Sequence, residues 1–183
     1  AQGGSVPATT TIEVIDTAVK IGLGGAITLL GTLLVTKLNH SHDHSKEKGK
    51  RHYDSLESVG ADVEEITHVA LRYWALIIEW VRNNSQGMDL TDKRKEELEK
   101  TKDDLFNSFK NLTVAESKLL LLGLDEPAKL LRSYGDFLKS MRRNCYYEKE
   151  SLTVQHMNEA RDELLNKRQA LFSALSTAYK SGL

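Results

Sequence analysis

The sequence predicts an all-α protein: one N-terminal transmembrane helix followed by a bundle of about five helices. Three observations carry this. Only two prolines occur, Pro7 and Pro127, so long stretches lack helix breakers. No Asn-Gly or Asp-Gly pair marks a hairpin, and strand-like alternation is missing. Apolar residues instead recur at intervals of three and four, after a run of sixteen residues that bears no charge.

That run is Ile21 to Thr36, inside "KIGLGGAITLLGTLLVTK". As a helix it measures about 24 Å, short of a hydrocarbon core of about 30 Å. Lys20 and Lys37 have apolar stems that reach toward headgroups, which lengthens the usable span to residues 17–38. The competing reading is a buried core helix, but helices of soluble proteins normally carry a polar stripe, and this run has none. A cleaved signal peptide needs a basic segment ahead of the run; Glu13 and Asp16 stand there instead. Residues 37–53 hold Lys37, Lys46, Lys48, Lys50 and Arg51 against Asp43 and Glu47. The positive side faces the cytoplasm. The expected layout is therefore a short outside segment (1–16), a single span (17–38) in the cell (inner) membrane, a basic hinge (39–53) and a cytoplasmic helical domain (54–183). Within the span, Gly24, Thr28 and Gly31 share one face. Small residues there let helices approach in lipid, which favours a helix neighbour.

"NHSHDHSKEKGKRH" follows the span. His40, His42 and His44 alternate around Asp43, a composition that suits zinc, copper or nickel. No cysteine or second carboxylate completes a four-ligand set at a familiar spacing. The plainer reading is a solvated hinge whose Lys37, Lys46, Lys48, Lys50 and Arg51 meet anionic headgroups.

From Asp54 the seam Leu56, Val59, Val63, Ile66, Ala70, Tyr73, Ile77, Trp80 runs 3-4-3-4-3-4-3, a sustained coiled-coil-like heptad pattern. "YWALII" (Tyr73–Ile78) is apolar on every side, which places this helix centrally. "NNSQG" closes it. A second helix is expected from about Thr91 to Asn111, with Leu98, Thr101, Leu105, Phe109 and Leu112 inward and the charges of "DKRKEELEKTKDD" in water. Thr113 and Glu116 form a capping box that opens a short third helix, which ends at Gly123. Pro127 sits in the first turn of a fourth, whose apolar residues are Leu130, Leu131, Tyr134, Phe137, Leu138 and Met141. It frays near "RRNCYY". A fifth runs from about Thr153 to Lys180, with Met157, Ala160, Leu164, Leu171, Leu175 and Ala178 inward.

Formal charge is −1, so no global bias points to nucleic acid or an acidic substrate. The single cysteine, Cys145, excludes an intrachain disulfide. Glu65-x-x-His68 has the spacing of di-iron bundle ligands. It lacks a second copy (His156-x-x-Glu159 is reversed), and the seam turns both side chains to water. Phosphate loops, nucleophile elbows and HExxH motifs are absent. Cys145 and His156 lie in the same half. Arg142 and Arg143 would lower the thiol's pKa if they faced it, but the plainer reading is an ordinary thiol near a helix end. "MRRNCYYEK" sets cations beside aromatics, poor support for nucleic-acid binding in a neutral chain. Trp74 and Trp80 read as core packing. No cofactor or small-molecule substrate is indicated. The expectation is a non-enzymatic, membrane-anchored interaction or assembly module, with the bilayer and either a protein partner or a homo-oligomer as its partners. The alternatives are a membrane-active pore or leak effector built on the Gly24/Thr28/Gly31 face, and a ligand or metal sensor that signals through the hinge.

Overall fold

A computed structural model describes residues 45–181, with side chains from residue 49. The described part comprises four helices and no strand: α1 (Ser45–Asn84), α2 (Asp92–Leu121), α3 (Asp125–Asn144) and α4 (Val154–Ser181). The predicted span, Gly24, Thr28, Gly31, Lys37 and the His40/His42/His44 tract lie outside the described residues. Among the described residues, no helix is long and apolar enough to cross a membrane.

The helices run up-down-up-down. Each neighbouring pair is antiparallel, as its cross-contacts show. Arg94 and Lys118 of α2 meet Glu79 and Asp62 of α1. Arg132 of α3 meets Glu116 of α2. Lys167 of α4 meets Ser133 of α3. The ring closes where His52 and Trp74 of α1 reach the carbonyls of Ala178 and Met157 on α4.

The heptad seam of α1 is buried throughout, from Leu56 to Trp80. Burying each large aliphatic or aromatic side chain contributes about 1.5–3 kcal/mol, which makes this seam the spine of the bundle. The helix starts earlier than the Asp54 the apolar pattern indicated. Residues 45–53, expected to be part of the hinge, are helical. The reason is His52: it occupies the seam position before Leu56, is buried, and sets its Nε2 3.4 Å from the Ala178 carbonyl. An apolar-only pattern cannot see a histidine in that role.

The expected second and third helices are one helix. The buried line of α2 is Leu98, Thr101, Leu105, Ser108, Leu112, Ala115, Leu119, an unbroken 3-4 alternation across the supposed break. Ser108 and Ala115 hold inner positions, while Phe109, expected inside, is only half-buried. Thr113 does not cap. Its hydroxyl donates to the Phe109 carbonyl at 3.3 Å, one turn back in the same helix. Glu116 pairs with Arg132 of α3 instead of closing a box. The true ends carry glycine. Gly123 has φ 70°. Its N–H donates to Leu120 O, and that of Leu124 to Leu119 O, which together satisfy the last carbonyls of α2. Gly87 closes α1 with the same two bonds, Gly87 N–H to Asn84 O and Met88 N–H to Asn83 O.

Across the diagonal, α1 and α3 touch through a buried polar pair. Thr67 Oγ1 donates to Val63 O at 2.6 Å, so its only proton is committed. Tyr134 Oη, 2.6 Å from the same oxygen, must then be the donor of that second bond. Burial pushes the Tyr134 phenol well above the usual tyrosine range. At one seam position of α4 stands a cation: Arg168 pairs with Glu64 of α1 and stacks on Phe172 at 4.8 Å.

Candidate interaction surface

The sites that sequence indicated on the bundle can be placed individually. Lys46 and Lys48 belong to the first turns of α1, and Lys50 and Arg51 are exposed there. Glu65 and His68 both face water, as the seam required. Trp74 and Trp80 are core residues. Trp74 Nε1 donates to Met157 O at 2.6 Å, and Trp80 meets Tyr147 edge-on at 5.5 Å.

Cys145 and His156 do come together, in the lining of an open groove between α3 and α4 of about 270 Å³ that also holds Glu159. The thiol is not activated. Burial pushes its pKa up, and only Lys149 opposes the rise. Arg142, considered from sequence as an activator, lies over the Phe106 ring at 5.2 Å. A nucleophilic cysteine needs a lowered pKa and access; Cys145 has neither. Its carbonyl instead accepts the Tyr73 hydroxyl at 2.8 Å, and burial lifts the Tyr73 phenol to about 12. Lys149 of "MRRNCYYEK" is likewise engaged within the chain, 5.6 Å from the Tyr146 ring. Among the described residues, no three His, Cys, Asp or Glu side chains are placed to hold a metal ion.

The α1–α2 and α3–α4 connections meet at one end of the bundle. Tyr147 donates to Asp89 at 2.9 Å, and Lys95 pairs with the same carboxylate at 2.6 Å. Lys95, the backbone N–H of Leu90 and Tyr147 together hold Asp89 below the usual carboxylate range. Along the α1–α2 groove, Arg94 bridges Glu79 and Glu97, and Arg72 takes a second bond on Glu97. These groups fix helix positions; they do not converge on a cavity.

The feature left uncovered is the outer face of α2 beyond its midpoint. Leu121 is 87% exposed, Phe106 60%, Leu120 48% and Val114 45%. Phe106, Lys110, Thr113, Val114, Ser117 and Leu121 follow one another at helical spacing, and all are exposed. The first half of the same face carries Glu96, Glu99 and Asp103. The outer face is thus charged before Phe106, and beyond it the apolar Phe106, Val114 and Leu121 stand among Lys110, Thr113 and Ser117, with Arg142 over the Phe106 ring. Grouped exposed apolar side chains of this kind mark contact surfaces. The sequence contained the signal: Leu119 to Leu122 supply more leucine than one inward line can bury.

Compared with known proteins, the chain matches no family model, no curated protein and no solved structure.

Proposed function

We propose that the protein is a single-pass, membrane-anchored helical interaction module without enzymatic chemistry of its own. The observation that carries this reading is the uncharged run Ile21–Thr36 between Lys20 and Lys37, with Glu13 and Asp16 and no further lysine or arginine before it and a lysine- and arginine-rich stretch after it. Such a run partitions into hydrocarbon and orients by its basic flank. The uncovered apolar face of α2 adds a surface to which a partner can bind. In this reading the bundle is a rigid holder, and the face it displays selects the partner.

Two measurements on native membranes test the proposal. The chain is expected to resist alkaline carbonate extraction, with its C-terminal part cleaved by protease only from the cytoplasmic side. It is also expected to bring down a stoichiometric partner, or itself, in mild detergent. Release into the alkaline supernatant removes the anchor. Dye release from vesicles by the purified chain moves the assignment to the membrane-active alternative.

A further inference from the structure

We propose that Arg142 and Phe106 form a binding site for an acidic segment of a protein partner: the guanidinium takes a carboxylate, and the exposed phenyl ring takes an apolar group next to it. This rests on the reading of the chain as an interaction module and names the chemistry of its partner. The other arginines that cross between helices all have an acid. Arg72 ends on Glu97, Arg94 on Glu79, Arg132 on Glu116 and Arg168 on Glu64. Arg161, which lies over the Trp74 ring, keeps Asp162 of its own helix. Arg142 crosses from α3 to α2 and ends on the Phe106 ring at 5.2 Å; among the described residues no carboxylate pairs with it. Its Nε is buried without a hydrogen-bond partner. A buried charged donor with no acceptor is destabilising, and folded proteins keep few of them without a functional reason.

The geometry suits a carboxylate. Arg142 is half-buried, and only its Nε is both buried and unpaired, so the two terminal nitrogens stay open to solvent. Stacking on the ring fixes the guanidinium plane, which presents those nitrogens as a fork for two parallel hydrogen bonds. Phe106 is 60% exposed and lies directly beneath, so an apolar side chain of the same partner has a surface beside the ion pair. An arginine packed on an aromatic ring is a common composition of the residues that dominate protein interfaces. The neighbouring charges support a local anion rather than a polyanion. Lys110, one turn from Phe106, is exposed and adds a cation. Lys102 and Lys139 are each balanced by an acid of their own helix, Glu99 and Asp136. Those acids, with exposed Asp103, would repel a nucleic-acid backbone or an anionic bilayer laid across the site. One carboxylate on a peptide avoids them.

The test uses the full chain in mild detergent, with its four phenylalanines replaced by 4-fluorophenylalanine. Phe106→Leu assigns the Phe106 resonance in the fluorine NMR spectrum. The probe is the capped dipeptide leucyl-glutamate, with leucyl-glutamine as its uncharged twin. Leucyl-glutamate should move the Phe106 resonance saturably, and leucyl-glutamine should bind at least about tenfold more weakly. Arg142→Gln should weaken the glutamate probe by at least about tenfold, and Arg143→Gln by less than about threefold. Arg142→Met keeps a packing stem and removes the buried donor, so its melting temperature should equal or exceed that of the unaltered chain. No saturable shift, equal affinity for the two dipeptides, unchanged affinity in Arg142→Gln, or an equal loss in Arg143→Gln overturns the proposal. So does a fall in melting temperature of more than about 4 °C in Arg142→Met, which makes the arginine a structural group. Flotation on phosphatidylglycerol vesicles that is lost in Arg142→Gln overturns it in favour of lipid. The module reading fails separately, when no partner of any kind co-purifies, whatever the dipeptides do.

Discussion

Replacing Thr67 by valine removes the acceptor of the Tyr134 phenol. Tyr134 is fully buried, and among the described residues its hydroxyl reaches only Thr67 Oγ1, at 2.6 Å. A buried donor left without a partner costs about 1–3 kcal/mol. Tyr134→Phe is the milder change. Thr67 still gives its proton to Val63 O, so the loss is one net hydrogen bond, about 1 kcal/mol. With both changes the orphaned phenol is gone. The double variant should therefore be less destabilised than the two singles together, by about 1–2 kcal/mol. The assay is a double-mutant cycle by urea denaturation followed at 222 nm (the far-ultraviolet helix band). In melts, 1 kcal/mol corresponds to about 3–5 °C for a bundle of this size. Single-variant effects that add within about 0.5 kcal/mol would refute the reasoning, because coupling is its whole content.

Three more expectations follow from the same structure. Val114→Pro should cost about 3 kcal/mol or more, because residue 114 lies inside a continuous helix; were Thr113 a helix cap, proline there would be tolerated and the melt unchanged. Asp89 and Glu97 are held below their ordinary values of about 4, Asp89 chiefly by Lys95 and Glu97 chiefly by Arg72. Their stabilisation is thus present above that range and lost as pH falls through the lowered folded-state values. Asp89→Asn/Glu97→Gln should flatten the acid limb of stability measured from pH 7 downward, and an unchanged limb would assign acid loss to other groups. Cys145, buried with a raised pKa, should react with a disulfide reagent at neutral pH only after urea is added. Rapid labelling of the native chain would contradict its burial.

How much of this was legible from residues alone depends on what the inner positions are made of. The α1 seam was readable because nearly every inner residue is large and apolar, and the fold class followed from it. The end of α1 was readable from Gly87, and that of α2 from Gly123, because a left-handed residue is a local requirement. The start of α1 was hidden because His52 fills an inner position with a ring that needs a carbonyl. The continuity of α2 was hidden because Ser108 and Ala115 are inner residues that a hydrophobicity count passes over, while Thr113 and Glu116 imitate a cap. The meeting of Cys145 with His156 depends on how α3 and α4 pack, which no spacing encodes. The exposed strip of α2 was written in "LLLLGL", yet it became a surface only once one continuous helix had used its inner line on other residues.

The closing contact between α1 and α4 also sets an order of events during synthesis. His52 and Ala178 are separated by 126 positions. At roughly 5–20 residues per second a ribosome needs about 6–25 s to make the intervening chain. Throughout that interval the α4 side of the α1 seam, including Trp74, waits for its cover, while α2 shields only the opposite flank. The nascent chain is most prone to wrong association in that window. Any factor that attends this protein at birth would find its target in the Tyr73–Ile78 segment.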